Sequence, residues 1–356
     1  MASAQVDRVA ELLQQKLTFK GGQANEPDTY LGARLRSKSH PDGTKFWSLS
    51  SESYVKVAVE AVEEKLAKEG KKLPNRKEGN PCSWPFRPEI DDTPELDEDG
   101  AHCCRELIGM LRWATELGRI DVLYEISVLS QHQAMPRQGH LDHILETFGF
   151  LKHNYETAIC MDPSDPIFDG SDFVDNSDQF LEHCRGAEEL KPPNAPPTRG
   201  RSVKITAFCD ASHAQNLATR RSHIGHIMFV QRAPIIWCSK RTQTVESSTF
   251  GSEFIALRTC VEHLRALRCK LRMFGVDIDG QSRICGDQNG VVKNCSLFES
   301  TLAKKHNAVA CHAVRWAVAA KEVLVAWVDT TKNIADGLTK ALGGTKRKEI
   351  FGGFMC

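Results

Sequence analysis

The chain of 356 residues contains no long apolar run. None approaches the roughly 18 residues that a membrane span needs, and Met1 to Ala24 lacks the apolar centre of a secretory signal. An intracellular protein of cytoplasm or nucleus, with no membrane partner, is the expectation. CxxC pairs are also missing. The thirteen cysteines are an odd number, scattered, and several, including Cys209, Cys238 and Cys285, sit inside apolar runs. Reduced, buried thiols follow, and a disulfide framework or structural zinc is disfavoured. Net charge is absent too, because 46 Lys and Arg balance 46 Asp and Glu. The balance hides a division: residues 1–198 carry 22 basic and 34 acidic side chains, whereas residues 199–356 carry 24 and 12. A basic second half suits a polyanionic partner, although charge alone fits a solvated surface equally well.

Residues 1–27 hold a short helical pattern, Val6 to Leu17, and then a Gly/Asn/Pro break. In "YLGARLRSKSHPDGTKFWSLS" two extended runs flank Pro41-Asp42-Gly43, which has hairpin-turn chemistry. Ser50 opens "SESYVKVAVEAVEEKLAKEG", helical by its apolar spacing, its capping residues and its closing Gly70. Residues 71–100 read as a polar, Pro-rich loop. Three helix patterns fill Cys104 to His153, with Leu107, Met110, Leu111, Ala114 and Leu117 at helical spacing, and Trp113, Phe148 and Phe150 as core. "MDPSDPIFDGSDFVDNSDQF" and "KPPNAPPTRG" then read as a linker, the second stretch extended.

After Arg201 the pattern changes. Strand-like runs occur at Val203–Cys209, His223–Gln231 and Ala233–Ser239, followed by a helix over Ser252–Phe274. A fourth strand, Ser282–Gly286, runs into a helix at Asn289–Leu297. A further helix covers Lys304–Lys321, a fifth strand Val323–Val328, and a terminal helical segment starts at Asn333. This is an α/β unit of ordinary domain size.

Four acidic residues fall at telling points of that order. Asp210 ends the first strand, Glu253 lies in the first turn of the first helix, Asp287 ends the fourth strand, and Asp336 lies at the start of the terminal helix. Singly they are ordinary turn residues or favourable charges at helix starts. Together, on neighbouring strands of an open sheet, unpaired carboxylates would repel one another and lose hydration. A hard divalent cation removes that penalty, and two ions about 3.5–4 Å apart would activate a water against a phosphodiester.

The motifs "FCDASHA", "RRSHIGHIMF", "APIIWCSKRTQTVESSTFGSEFIAL", "GDQNGVV", "KKHNAVACH" and "NIADGLTK" resemble, in order, the ribonuclease H domain of copia-type retrotransposon Pol polyproteins. The gaps between the four carboxylates, 43, 34 and 49 residues, are compatible with it. Upstream, "YLGARL", "FWSLSSESYVKVAVEAVEEKL" and "ELIGMLRWATELGRIDVLYEISVLSQHQAMPRQGHLDHILETFGFLKH" look like the segment that follows a reverse-transcriptase palm. The resemblance implies an α/β fold: a ribonuclease H-like domain, a five-stranded mixed sheet with helices, preceded by a mainly helical thumb and connection remnant. Its implied divisions are an extension at 1–27, the distal reverse-transcriptase segment at 28–160, an acidic, Pro-rich linker at 161–201, the ribonuclease H-like domain at 202–342 and a tail at 343–356. There is no YxDD-like motif, and too little chain precedes Tyr30 for fingers and palm. A reverse transcriptase competent alone is therefore not expected, and the remaining polymerase domains would be a partner on another chain.

By the same resemblance Asp210, Glu253, Asp287 and Asp336 become the catalytic ligands of two Mg²⁺ or Mn²⁺ ions. The RNA strand of an RNA–DNA hybrid would be hydrolysed to a 3′-hydroxyl and a 5′-phosphate, with 2′-hydroxyl contacts across the minor groove giving selectivity. Arg220, Arg221, Lys240, Arg241, Lys304 and Lys305 are candidate phosphate contacts, although for any one pair a solvated cation is the favoured reading. His306 and His312 match family histidines, and with His213 are read as structural. Ser212, the Gln–Asn order in "GDQNG" and Trp316 depart from the family pattern. The alternative function is a decayed or domesticated retroelement fragment that binds nucleic acid without cleaving it: the four carboxylates favour the enzyme, the missing palm a relic. An integrase-like enzyme fits poorly, because its His/Cys zinc pattern and closely following final Glu are absent.

Overall fold

A computed structural model describes residues 8–9, 11–18, 28–77, 79–167, 173–302 and 307–356. Most of the expected extension lies outside the described residues, as do Lys304, Lys305 and His306, but nine of the twelve residues of the Val6–Leu17 pattern are described, and residues 8–9 and 11–14 are helical as expected.

The first half is built on a hairpin. β1 (Thr29–Tyr30), β2 (Ala33–Ser39) and β3 (Lys45–Ser50) run antiparallel. The turn between β2 and β3 closes because the Asp42 carboxylate accepts the Thr44 N–H at 2.8 Å and Gly43 adopts φ +85°. α1 (Glu52–Lys68) buries Val55, Ala58, Val59, Val62 and Leu66, one stripe at helical spacing. α2 (Glu98–Glu116) begins six residues before Cys104 because Asp97 caps it, accepting the Gly100 N–H. α3 (Leu123–Leu129) and α4 (Gln138–His153) complete a helical core around Leu111, Ile144, Phe148 and Leu151. The chain then returns as β4 (Ala158–Met161), which pairs with β3 and closes a four-stranded sheet.

The stretch that reads as a linker is more structured than its composition implies. It contributes α5 (Ser177–His183) and the start of β5 (Arg199–Val203), and Phe180 is buried in the core of the second half. Glu189 pairs with Arg268 at 2.8 Å and with Arg272 at 2.6 Å. Asp and Pro dominate the local pattern there, but one aromatic anchor and one half-buried, doubly paired carboxylate fasten it.

The second half is the expected α/β unit. β6 (Ile205–Ser212), β7 (His223–Val230) and β8 (Ala233–Arg241) form an antiparallel meander. α6 (Thr249–Met273) crosses over, and a short β9 (Val276–Ile278) pairs with β5 apart from the main sheet. β10 (Ser282–Gly286) lies parallel to β6, followed by α7 (Asn289–Ser296), α8 (Ala308–Ala319) and β11 (Val323–Trp327), which is parallel to β10. The five-stranded mixed sheet has the order β11-β10-β6-β7-β8, with β6 central.

Alternation along β6 sets its two faces. Ile205, Ala207 and Cys209 meet Phe254, Leu257 and Leu264 of α6 in one core. On the opposite face, Phe208 joins Ile227 and Phe229 beneath Leu338, Ile350 and Phe351. Each buried Leu, Ile or Phe among them contributes about 1.5–3 kcal/mol.

The end of the chain differs from the expectation. In place of one terminal helix from Asn333 there is a 3₁₀ turn, Ile334–Leu338, and then α9 (Gly344–Phe351). Residues 343–356 are packed rather than a free tail: Ile350, Phe351, Phe354 and Met355 are buried against the sheet, together with Ile120 and Ile159 from the first half. Arg347 of α9 forms a buried ion pair with Glu125 of α3.

Candidate active site

The carboxylates converge because separate elements deliver them to one end of the sheet. Asp210 is the sixth residue of β6, held by pairing with β7 at Gly225 and buried. Asp287 follows the last residue of the adjacent parallel strand β10, just before α7, whose N-terminus is capped by the Gln288 side chain accepting the Val291 N–H. Glu253 comes from α6, which starts at Thr249 because Ser248 caps it and accepts the Gly251 N–H. Glu253 is therefore in the second turn, not the first, and is not explained as a charge placed at a helix end. Oxygens of Asp210, Glu253 and Asp287 all lie within 4.8 Å of one another.

Asp336 stands just outside this trio, buried in the 3₁₀ turn. Two contacts bring that turn onto the sheet. Asn333, fully buried, donates from Nδ2 to the Cys209 carbonyl at 3.0 Å while its Oδ1 caps the turn. Gly225 leaves the necessary space, since a Cβ there would lie 2.7 Å from Leu338 Cβ and 2.9 Å from Thr339 Cγ2.

Two residues that the sequence reading missed complete the surroundings. Thr339 Oγ1 donates to Asp210 Oδ2. Lys340 Nζ lies 2.8 Å from Asp336 Oδ1. Both sit in "NIADGLTK", where the i,i+4 spacing of Asp336 and Lys340 was the available signal. Trp327 Nε1 also donates to the Asp287 carbonyl at 2.8 Å.

The electrostatics are those of a crowded anionic site. Burial, with Asp210 and Asp287 nearby, pushes the Glu253 carboxyl up to about 9. Burial and then Asp336 push Asp210 up to about 6, against Lys340 and Thr339. Asp336 is also raised, mainly by burial, despite Lys340. These shifts mark charge that the protein does not itself neutralise.

A second group of possible ligands, Cys82, His143 and Glu146, is equally tight but opposite in character. Although burial opposes it, Glu146 is pulled down to about 2 by His143, the Ser83 N–H and hydroxyl, and Arg76. That carboxylate is satisfied by protein donors. In the Asp210 trio, Asp210 and Glu253 stay raised despite the Thr339 donor, and the all-oxygen donor set fits a hard divalent cation such as Mg²⁺.

The candidate phosphate contacts separate into groups. Arg220 and Lys240 are exposed. Arg221 and Arg241 are half-buried and line one small polar cavity with Tyr124, Gln215 and Ser222. Burial and the neighbouring Arg221 lower the Arg241 pKa. His213 is tied to Ser252 at 2.9 Å, and His312 is exposed on α8.

No family model matches the chain. Curated relatives do. The Pol polyprotein of transposon RE1 from Arabidopsis thaliana is 24% identical over 243 residues, which is 68% of this chain and 14% of that protein. The Gag-Pol polyprotein of transposon Ty1-DR6 from Saccharomyces cerevisiae is 26% identical over 304 residues, 81% of this chain and 15% of that protein. The chain is similar to part of these retrotransposon Pol polyproteins. It spans only about one seventh of their length. Among solved structures, LC11-RNase H1 in complex with an RNA/DNA hybrid aligns over 38% of this chain and 94% of its own, with a TM-score of 0.32 and 16% identity. Among the described residues, no helix is long and apolar enough to cross a membrane.

Proposed function

We propose that residues 202–342 of this Pol-related chain are a ribonuclease H that cleaves the RNA strand of RNA–DNA hybrids. Asp210, Glu253, Asp287 and Asp336 would hold two Mg²⁺ or Mn²⁺ ions. One observation carries the reading: three carboxylates from β6, α6 and the end of β10 meet within 4.8 Å, and Glu253 and Asp210 stay raised by burial and mutual repulsion although Lys340 relieves part of it. When bound, the ions supply Lewis acidity for hydrolysis of a phosphodiester.

The chain's own residues do the rest. The central strand and Thr339 fix Asp210, Trp327 holds the backbone of Asp287, and Lys340 orients Asp336. Arg220, Arg221, Lys240, Arg241, Lys304 and Lys305 would bind phosphates and position the duplex. Residues 28–160 would be the distal reverse-transcriptase segment.

The test is a panel of labelled duplexes in Mg²⁺. Only the RNA strand of the hybrid should be cut, and EDTA should abolish cutting. Equal cleavage of double-stranded RNA or DNA would refute the assignment. A second reading, a fragment that binds hybrid without cutting, draws on Lys340, whose ammonium already neutralises part of the cluster. It predicts hybrid binding with no cleavage in either metal.

A further inference from the structure

Thirteen cysteines are present as free thiols. Two neighbouring pairs, Cys209 with Cys260 and Cys295 with Cys311, are wholly buried and closed to a soluble oxidant. A third pair is different. Cys160 of β4 is half-buried and Cys356 is exposed, with their sulfurs 2.9 Å apart.

The backbone explains the approach. Residues 354–356 lie antiparallel along β4: Ala158 and Cys356 exchange both N–H to carbonyl bonds at 2.8 Å, and the Cys160 N–H donates to the Phe354 carbonyl at 2.9 Å. Cys160 and Cys356 are thus diagonal neighbours across a short ladder, fixed by three hydrogen bonds and by burial of Ile159 and Met355. The exposed Lys38 of β2 places its ammonium 3.0 Å from the Cys356 sulfur. The thiolate is the attacking form of cysteine, and a neighbouring cation favours it.

We propose that Cys160 and Cys356 form a reversible disulfide that fastens the segment after α9 to the sheet of the first half. The oxidant is a small disulfide such as oxidised glutathione. Cys356, the exposed member, attacks one glutathione sulfur and expels one glutathione thiolate, leaving a mixed disulfide. Cys160, losing its proton to solvent, attacks the Cys356 sulfur and expels the second glutathione thiolate. One protein S–S bond forms and one glutathione S–S bond breaks. Two protein thiols are oxidised, and their two protons pass to the two glutathione thiolates. Burial and the contact with Cys356 push the Cys160 thiol up to about 12, which fits its role as the second, slower sulfur.

The full chain is incubated with oxidised glutathione, then alkylated and mapped without reduction, with thiols counted after denaturation. The expected result is a fall from thirteen thiols to eleven in a monomer, a linked peptide pair containing Cys160 and Cys356, and full reversal by dithiothreitol. Lys38→Gln should slow the reaction several-fold and give the same product. Retention of all thiols, a stable mixed disulfide at Cys356, a disulfide-linked dimer or a bridge between other cysteines would each overturn the proposal. An unchanged rate in Lys38→Gln would overturn the role given to Lys38.

Discussion

Replacing Glu253 by Gln should make the metal-free protein more stable, not less. The Glu253 carboxyl titrates at about 9 in the folded chain, against an ordinary value of 4.5. A carboxyl raised on folding is protonated in the folded state over a range where the unfolded chain is already ionised. It therefore costs stability above pH 4.5, by about 1.4 kcal/mol per pH unit, up to the folded value. At pH 7 the penalty spans about 2.5 units, or about 3 kcal/mol, which is roughly 10 °C in Tm for a unit of this size. Gln keeps the shape and carries no charge. Urea unfolding in EDTA between pH 5 and 8.5 should show wild-type stability falling with pH and a much flatter profile for Glu253→Gln. Added Mg²⁺ should stabilise wild type more than the variant. A destabilised variant, or two parallel profiles, would refute the view that burial, with Asp210 and Asp287 nearby, holds the Glu253 carboxyl raised.

The opposite sign is expected at Glu146, whose carboxyl is held at about 2. Its contribution, about 3 kcal/mol, is present above pH 4.5 and lost as pH falls toward 2. Glu146→Gln should therefore be destabilised at pH 6 and nearly equal to wild type at pH 2.5 in urea titrations. Gly225→Ala should cost about 1–3 kcal/mol and reduce cleavage, because the added Cβ pushes Leu338 and Thr339, and with them Asp336, away from the sheet. Arg241→Gln should weaken hybrid binding for all sequences and lower the slope of log affinity against log salt by about one phosphate contact. Fluorescence anisotropy over a salt series reads both quantities.

The residues that could be read from sequence were those whose local pattern and tertiary role agree. β6, β7 and β8 announce themselves by apolar runs, and Asp210 and Asp287 by a carboxylate that abruptly breaks such a run, although β6 continues two residues past Asp210 to Ser212 instead of ending there. The start of α6 was harder, because Ser248 and the polar residues before it mask the cap, and this moved Glu253 by a turn. The 3₁₀ turn around Asp336 was read as helix because its spacing is helical, whereas its geometry is imposed by Asn333 bonding to β6 and by the space at Gly225. Phe180 and Glu189 looked like linker since their partners lie 79 or more residues away. Thr339 is invisible as a site residue for the same reason, since its partner Asp210 lies 129 residues away, whereas the i,i+4 spacing of Asp336 and Lys340 is a local signal for Lys340.

Hydrolysis at the carboxylate cluster is the decisive claim. The direct measurement is cleavage of an RNA–DNA hybrid labelled on its RNA strand, by wild type and by Asp210→Asn, in Mg²⁺. Wild type should release RNA fragments bearing 5′-phosphates, and Asp210→Asn should bind the hybrid and release none. Hybrid binding by a folded wild type without any cleavage, or equal cleavage by the variant, would contradict it.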